Sequence, residues 1–223
     1  VEPLRAFFPL QLTQAAAHRV AAQVYQGLVK LDQRTLAVVP CLAERWETDA
    51  SGTVWTFHLR QGVHFHDDPA FSDGEGRELT ANDVVDCFTA ICTGGEENQM
   101  FWLFQDRVLG ANEHHAATLE GTPGTQGVKG LEVVDARTVR ITLEQPVPNF
   151  LQILAHQGCW IWPHELRDNY RGDLLKHAIG TGPFKLNTFD KDTGVLLLDA
   201  FPNYVDGAPK IGGVIFQTFD NTD

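Results

Sequence analysis

The feature that most constrains the fold lies within residues 44–65, where two extended runs flank the turn sequence DASG. In the second run, Trp55, Phe57 and Leu59 alternate with polar residues. An alternation with a period of two places one set of side chains on one face of a strand. The run is therefore predicted to be a strand with one buried face.

Hydrophobic periodicity and turn residues predict the other elements. Helices are predicted over 15–28, 79–91 and 146–156. A strand is predicted over 28–31, and a hairpin over 131–143. The glycine-rich bend at 180–186 is predicted to lead into a strand, and two more strands are predicted within 195–219. Thr80 and Asp83 form a capping box at the start of the second helix, and 93–130 is predicted to be irregular around a short apolar element at 100–104. With 20 glycines and 11 prolines, the sequence indicates a mixed α and β protein.

The charge of the chain excludes two classes of partner. Its 223 residues carry a formal net charge of −12, which argues against nucleic acid and against binding to anionic lipid through basic residues. No apolar run approaches the roughly 20 residues that a membrane-spanning helix needs. The sequence therefore predicts neither a nucleic-acid partner nor insertion of this segment into a membrane.

The sequence gives little indication of catalysis. Ser51 and Ser72 are the only serines, both lie in turn-like stretches, and no GxSxG nucleophile motif is present. The four cysteines form no CxxC pair, and they are predicted to be buried thiols. The stretch GTGPF lacks the GK[ST] ending of a phosphate-binding loop. We therefore expect a protein that is not an enzyme and that has no cofactor.

Residues 64–68, HFHDD, are the strongest metal-site candidate. His64 and His66 would share one face of a strand and point toward solvent, with Phe65 in the core. A strand end that enters a loop explains the same residues, so metal binding is kept as an alternative. The pair His114–His115 is expected in a polar surface loop.

Large aromatic residues mark a candidate ligand site. They are Tyr25, Phe101, Trp102, Trp160 and Trp162. Such side chains belong to the core in most cases, and otherwise they line ligand clefts. The residues alone leave both interpretations open.

The order of several motifs resembles one family. Tyr25–Leu28 matches Y-x-G-L, Leu42–Trp46 matches L-A-x-x-W, Thr56–Asp67 matches T-F-x-L-R-x-G-V-x-F-H-D, and Thr80–Val84 matches T-A-x-D-V. This order is similar to that of the extracytoplasmic solute-binding proteins of peptide- and nickel-type ABC importers, family 5. The chain differs at Asp68, where the family usually has glycine, and in the added stretch PAFSDGEGREL.

The resemblance implies an α/β fold, a type II periplasmic-binding-protein lobe with an inserted smaller α+β domain. Residues 1–44 and 176–223 would form the discontinuous base domain, and 45–175 the inserted domain. The second, C-terminal lobe would be absent from this chain, which would be an N-terminal fragment. The family's solutes bind between two lobes that close on a hinge.

The resemblance also implies a function without chemistry, in which a peptide or other small solute is bound and passed to an ABC permease. The main chain of Tyr25, Gln26, Gly27 and Leu28 would contact the ligand, with Phe101, Trp102, Trp160 and Trp162 as further candidates. Many relatives carry an acid in place of Gln26, so recognition of a cationic amino terminus would be weaker. The location would be periplasmic or cell-surface, and a lipid anchor is left open.

Three alternatives remain at this stage. One is a metal- or haem-binding member of the same family that uses His64, His66 or His114–His115. Another is a metal-dependent hydrolase that uses His64 and His66. The third is a sensor or interaction module that keeps the fold and has lost transport.

Overall fold

The computed structural model of the chain describes residues 7–121, 127–174 and 176–217. The helices are α1 (Ala15–Val24), α2 (Ala81–Cys92), α3 (Ala111–Leu119), α4 (Phe150–Leu154) and α5 (His164–Tyr170). The strands are β1 (Val29–Leu31), β2 (Val38–Pro40), β3 (Ala43–Thr48), β4 (Val54–Leu59), β5 (Leu131–Asp135), β6 (Thr138–Thr142), β7 (Phe184–Asp190), β8 (Val195–Ala200) and β9 (Gly213–Gln217). No helix formed by the described residues has the length and apolar character needed to span a bilayer.

The described residues form two compact units. Unit one contains those of Val1–Tyr25, Gly62–Leu79 and Trp162–Asp223, and unit two contains Gln26–Gln61 and Thr80–Ile161. Both units combine helices with antiparallel strands, in agreement with the predicted mixed fold class.

Unit one is built on a three-stranded antiparallel sheet in the order β7-β8-β9. Leu196 and Leu198 of β8 are buried and lie opposite Phe216 and Val214 of β9. Helix α1 packs against β7, with Val20 and other apolar residues of its inner face buried. The helix predicted over 15–28 thus ends at Val24, because the chain becomes extended at the next residue.

Unit two is built on a four-stranded antiparallel sheet in the order β3-β4-β6-β5. Phe57 and Leu59 of β4 are almost inaccessible, and Phe57 lies opposite Val139 of β6. This confirms the strand with one buried face and the hairpin over 131–143. Helix α2 packs on β5 and β6, and its predicted capping box is present, since Asp83 Oδ2 accepts from the Thr80 backbone N–H at 2.8 Å.

The compact units differ from the predicted domain limits in three segments. Residues 162–174, predicted in the insert, lie in unit one. Residues 62–79, predicted in the insert, group with unit one because the His66 backbone N–H donates to the carbonyl of Gly180 at 2.9 Å. Residues 26–44, predicted in the base, group with unit two because the Arg60 N–H donates to the carbonyl of Leu42 at 2.9 Å. The domain predictions for residues 1–6, 122–126, 175 and 218–223 fall outside the described part of the chain.

The expectation of irregular chain over 93–130 was wrong for helix α3. Gly110 precedes the helix with φ 78°, a left-handed conformation that favours glycine. His114 and His115 therefore lie on a helix and not in a loop. The short apolar element predicted at 100–104 corresponds to a 3-10 turn at Phe101–Leu103.

Candidate functional site

The segment 26–28 crosses unit two as an extended connection whose backbone is already paired. The Gln26 carbonyl accepts from the Ile161 N–H at 2.8 Å, and the Gly27 carbonyl accepts from the Leu42 N–H at 3.2 Å. These carbonyls are committed to hydrogen bonds inside the unit. A ligand that adds along this segment must therefore use other groups.

The side chains of the predicted segment 25–28 point away from solvent. Tyr25, at the end of the chain's first stretch in unit one, is 2% exposed, and Leu28 in unit two is 0% exposed. The amide of Gln26 is buried, and its Nε2 donates to Sγ of Cys41 at 3.5 Å. Gly27 has no side chain, and its backbone lies close to a neighbouring aromatic ring.

Gly27 lies against a tryptophan of the same unit. A Cβ placed on Gly27 would lie 3.4 Å from Cδ1 of Trp160 and 3.3 Å from the carbonyl oxygen of Leu154. Trp160 follows a 3-10 turn at Gln157–Cys159 and is half-buried. The missing side chain at Gly27 allows the indole to approach the backbone.

The 3-10 turn at Phe101–Leu103 presents two aromatic rings, each paired with a histidine. The ring of Phe101 stacks on His115 with centroids 3.7 Å apart and planes 4° apart. Trp102 contacts the ring of His156 edge-on at 5.2 Å, and its carbonyl accepts from Nη1 of Arg107 at 2.8 Å. The indole of Trp102 is 52% exposed although its neighbours fix its position.

The two 3-10 turns pack on each other, because a Cβ on Gly158 would lie 2.7 Å from Cδ1 of Leu103. These contacts within unit two connect several of the predicted site residues. We call the following set of residues the aromatic strip: Gly27, Phe101, Trp102, His156 and Trp160. His156, whose Nδ1 accepts from the Gly158 N–H at 3.1 Å, was missed by the sequence analysis, since nothing local distinguishes it from other histidines.

Trp162 lies elsewhere, inside unit one. It is 3% exposed, its ring contacts Phe8 at 4.9 Å, and the guanidinium of Arg167 lies 5.6 Å from its centroid. These contacts are those of a packed core residue. The environment of Trp162 therefore favours a structural role.

The histidines of the metal alternative do not share a face. His64 is exposed, and its Nδ1 lies 3.0 Å from the carbonyl oxygen of Gly76. His66 was expected to face solvent, and this was wrong, since it is 1% exposed. Its Nε2 lies 2.9 Å from the carbonyl oxygen of Gly182, and its Nδ1 accepts from the Gly180 N–H at 3.3 Å. Both ring nitrogens of His66 are thus engaged within the protein.

The fold of the chain matches that of a solved structure. The chain matches the structure of a periplasmic oligopeptide-binding protein from Borrelia burgdorferi with a TM-score of 0.80 at 24% identity. The match covers 96% of this chain and 40% of that one. The described fold is therefore that of the periplasmic binding proteins, as predicted.

The family follows from the sequence. Residues 37–223 match the model described as bacterial extracellular solute-binding proteins, family 5 Middle. The chain belongs to this family, which confirms the resemblance found in its motifs. Proteins of this family bind solutes for transporters and are not enzymes, in agreement with the expectation that the chain has no catalytic role.

Two curated relatives are peptide-binding proteins by name. The chain is 32% identical to di/tripeptide-binding protein 4 of Pseudomonas aeruginosa (strain UCBPP-PA14), over 93% of this chain and 38% of that protein. It is also 32% identical to the dipeptide-binding protein of Escherichia coli (strain K12), over 87% of this chain and 35% of that protein. The chain thus spans less than two-fifths of the length of these relatives.

Proposed function

We propose that this chain is part of the solute-binding component of an ABC importer, and that it binds short peptides or similar small solutes without altering them. The peptide-binding relatives at 32% identity support this function. In the proposed role the protein acts outside the cytoplasm, holds its solute between two lobes, and delivers it to the membrane permease subunits.

The observation that carries the proposal is Trp102, which is 52% exposed on a turn that its neighbours hold in place. A rigid, exposed indole gains a large contact area on binding and loses little conformational entropy. The Arg107 hydrogen bond to the Trp102 carbonyl fixes the turn, and the edge contact with His156 fixes the ring. We assign Trp102 to contact an apolar side chain of the solute, with Phe101, Trp160 and the backbone at Gly27 beside it.

Titration calorimetry with di- and tripeptides of apolar side chains tests this function. We expect Trp102→Ala to weaken binding about tenfold or more, the usual effect of removing a central aromatic contact. Leu119→Ala is the matched control, because Leu119 is also exposed and lies in the same unit. Mass spectrometry of the incubated peptide should recover it intact. Failure of the protein to bind any such peptide, or equal affinity of the Trp102→Ala variant, would contradict the proposal.

A further inference from the structure

A separate pocket of about 450 Å³ lies within unit one, and none of the aromatic strip lines it. Its size falls within the roughly 300–1,000 Å³ that small-molecule sites occupy. The loop 62–79, helix α5 and strands β7 and β8 all contribute to its walls. The side chains that matter for its chemistry are Asp67, Asp68, Tyr170, His177, Lys185 and Asp199.

Two opposite charges face each other in this pocket without forming an ion pair. Lys185 of β7 and Asp199 of β8 are Cα partners in the antiparallel register, so their side chains share one face about 5 Å apart at Cβ. Asp199 Oδ2 instead accepts from Nδ2 of Asn187 at 2.6 Å. Within the described part of the chain, the ammonium of Lys185 has neither a hydrogen bond nor an ion pair.

Lys185 is half-buried as a residue, and its ammonium has no partner among the described residues. An ammonium forms a strong, charge-assisted hydrogen bond with a carboxylate. A ligand carboxylate at Lys185 would supply the missing partner. Lys185 therefore favours a ligand that carries a carboxylate.

The acidic side of the pocket is already oriented. Asp68 Oδ1 accepts from the Tyr170 hydroxyl at 2.7 Å and from the Ala70 N–H at 2.8 Å, and Asp67 Oδ1 accepts from the Gly76 N–H at 3.0 Å. These bonds hold both carboxylates in place. Among the described residues, Oδ1 of Asp199 has no partner, so Asp199 can accept from a ligand ammonium beside these fixed groups.

An aromatic pair forms the remaining wall. The rings of Tyr170 and His177 stack with centroids 3.6 Å apart and planes 3° apart. Burial, together with the hydrogen bond to Asp68, raises the pKa of Tyr170 to about 12, so its hydroxyl remains a donor. The pair offers a fixed, flat apolar surface beside the charged groups.

We propose that this pocket binds a free α-amino acid as a zwitterion, with its carboxylate at Lys185 and its ammonium at Asp199. An α-amino acid carries both charges on one carbon, which matches two opposite charges held on neighbouring strands. Its apolar side chain lies against the Tyr170–His177 pair. A ligand with a single charge satisfies only one of the two protein groups.

Titration calorimetry with three probes of the same ring tests the assignment. L-Phenylalanine has both charges, 3-phenylpropionate lacks the ammonium, and 2-phenylethylamine lacks the carboxylate. We expect the amino acid to bind about tenfold or more tightly than either analogue, because each analogue leaves one charged group unpaired. Equal affinities for the three probes, or no binding of the amino acid up to about 10 mM, would overturn the proposal.

Variants identify the site. Lys185→Gln and Asp199→Asn should each weaken L-phenylalanine binding about tenfold, whereas Lys191→Gln, on the turn after β7 and outside the pocket, should leave it unchanged. Trp102→Ala should also leave it unchanged, which separates this site from the proposed peptide site. Unchanged affinity in both pocket variants would refute the assignment.

An NMR titration of the wild-type protein tests the proposal even if the variants do not fold. In NMR titrations, L-phenylalanine should shift the amide resonances of Lys185, Asn187 and Asp199. Shifts confined to the aromatic strip would show that the amino acid binds elsewhere, and they would overturn the proposal.

Discussion

Buried His66 should make the stability of the protein depend on pH in a defined window. The ring is 1% exposed, its Nε2 lies 2.9 Å from the Gly182 carbonyl oxygen, and its Nδ1 accepts from the Gly180 N–H. This arrangement needs a neutral ring with its proton on Nε2. A second proton would place a charge in a site closed to solvent and would leave the Gly180 N–H without an acceptor. Burial, above all, lowers the pKa of His66 from 6.5 to about 4.

The size of this change in stability follows from the difference between the ordinary pKa of histidine and the pKa of His66 in the folded protein. Between about pH 4 and 6.5 the unfolded chain binds a proton at His66 that the folded protein excludes, so stability falls as the pH falls through this range. The stabilisation is fully present above the unfolded value of 6.5. A pKa lowered from 6.5 to about 4 corresponds to about 3 kcal/mol, most of it lost by about pH 4.5.

Urea unfolding of the wild type and of His66→Gln at neutral pH and at about pH 4.5 measures this loss. Glutamine keeps an N–H donor for the Gly182 carbonyl and does not titrate. The exposed aspartates titrate in both proteins, so their contribution cancels in the comparison. We expect the wild type to lose about 2–3 kcal/mol more than the variant over this pH range. Equal losses in the two proteins would refute the reasoning.

Two further predictions concern the packing at Gly180 and the reactivity of the buried cysteines. A Cβ on Gly180 would overlap the carbonyl oxygen of Val24, so Gly180→Ala should destabilise the protein by about 3 kcal/mol in urea unfolding. Gly172→Ala should be nearly neutral, since nothing lies within 4 Å of its Cβ position, and equal effects of the two substitutions would contradict the argument. The four cysteines are buried free thiols, and burial raises the pKa of Cys92 to about 12. A thiol reagent should therefore label the native protein very slowly and label all four after unfolding, whereas rapid native labelling would show an open site.

The elements that could be predicted are those whose pattern is local. The alternation at Trp55, Phe57 and Leu59 predicts β4 because strand geometry sends successive side chains to opposite faces. Thr80 and Asp83 fix the start of α2 through a contact that spans three residues. In both cases the information lies within one short stretch, and no distant partner is needed.

Helix α3 could not be predicted because its sequence has no apolar face to bury. Ala111 is the buried residue of this helix, and its large apolar residue, Leu119, is exposed. Its position depends on contacts outside the helix, such as the Thr118 hydroxyl that accepts from the Gly94 N–H at 2.8 Å. Such contacts join residues far apart in sequence, so a local pattern does not contain them.

His66 was misplaced for a related reason. The rule that residues two apart share a face holds along a regular strand. The pairing at His64 is a single bridge to Glu78, and regular strand geometry does not continue beyond it. His66 is then fixed by Gly180 and Gly182, more than a hundred residues away.

The aromatic candidates could not be sorted by sequence either. Trp160 and Trp162 stand two residues apart, yet Trp160 belongs to unit two and lies against Gly27, while Trp162 belongs to unit one and packs on Phe8. Exposure is set by these neighbours and not by residue type. Trp102 remains half-exposed although its turn is held by hydrogen bonds, so its indole contributes little to the core. A substitution at Trp102 therefore tests solute contact, whereas a substitution at Trp162 tests the stability of unit one.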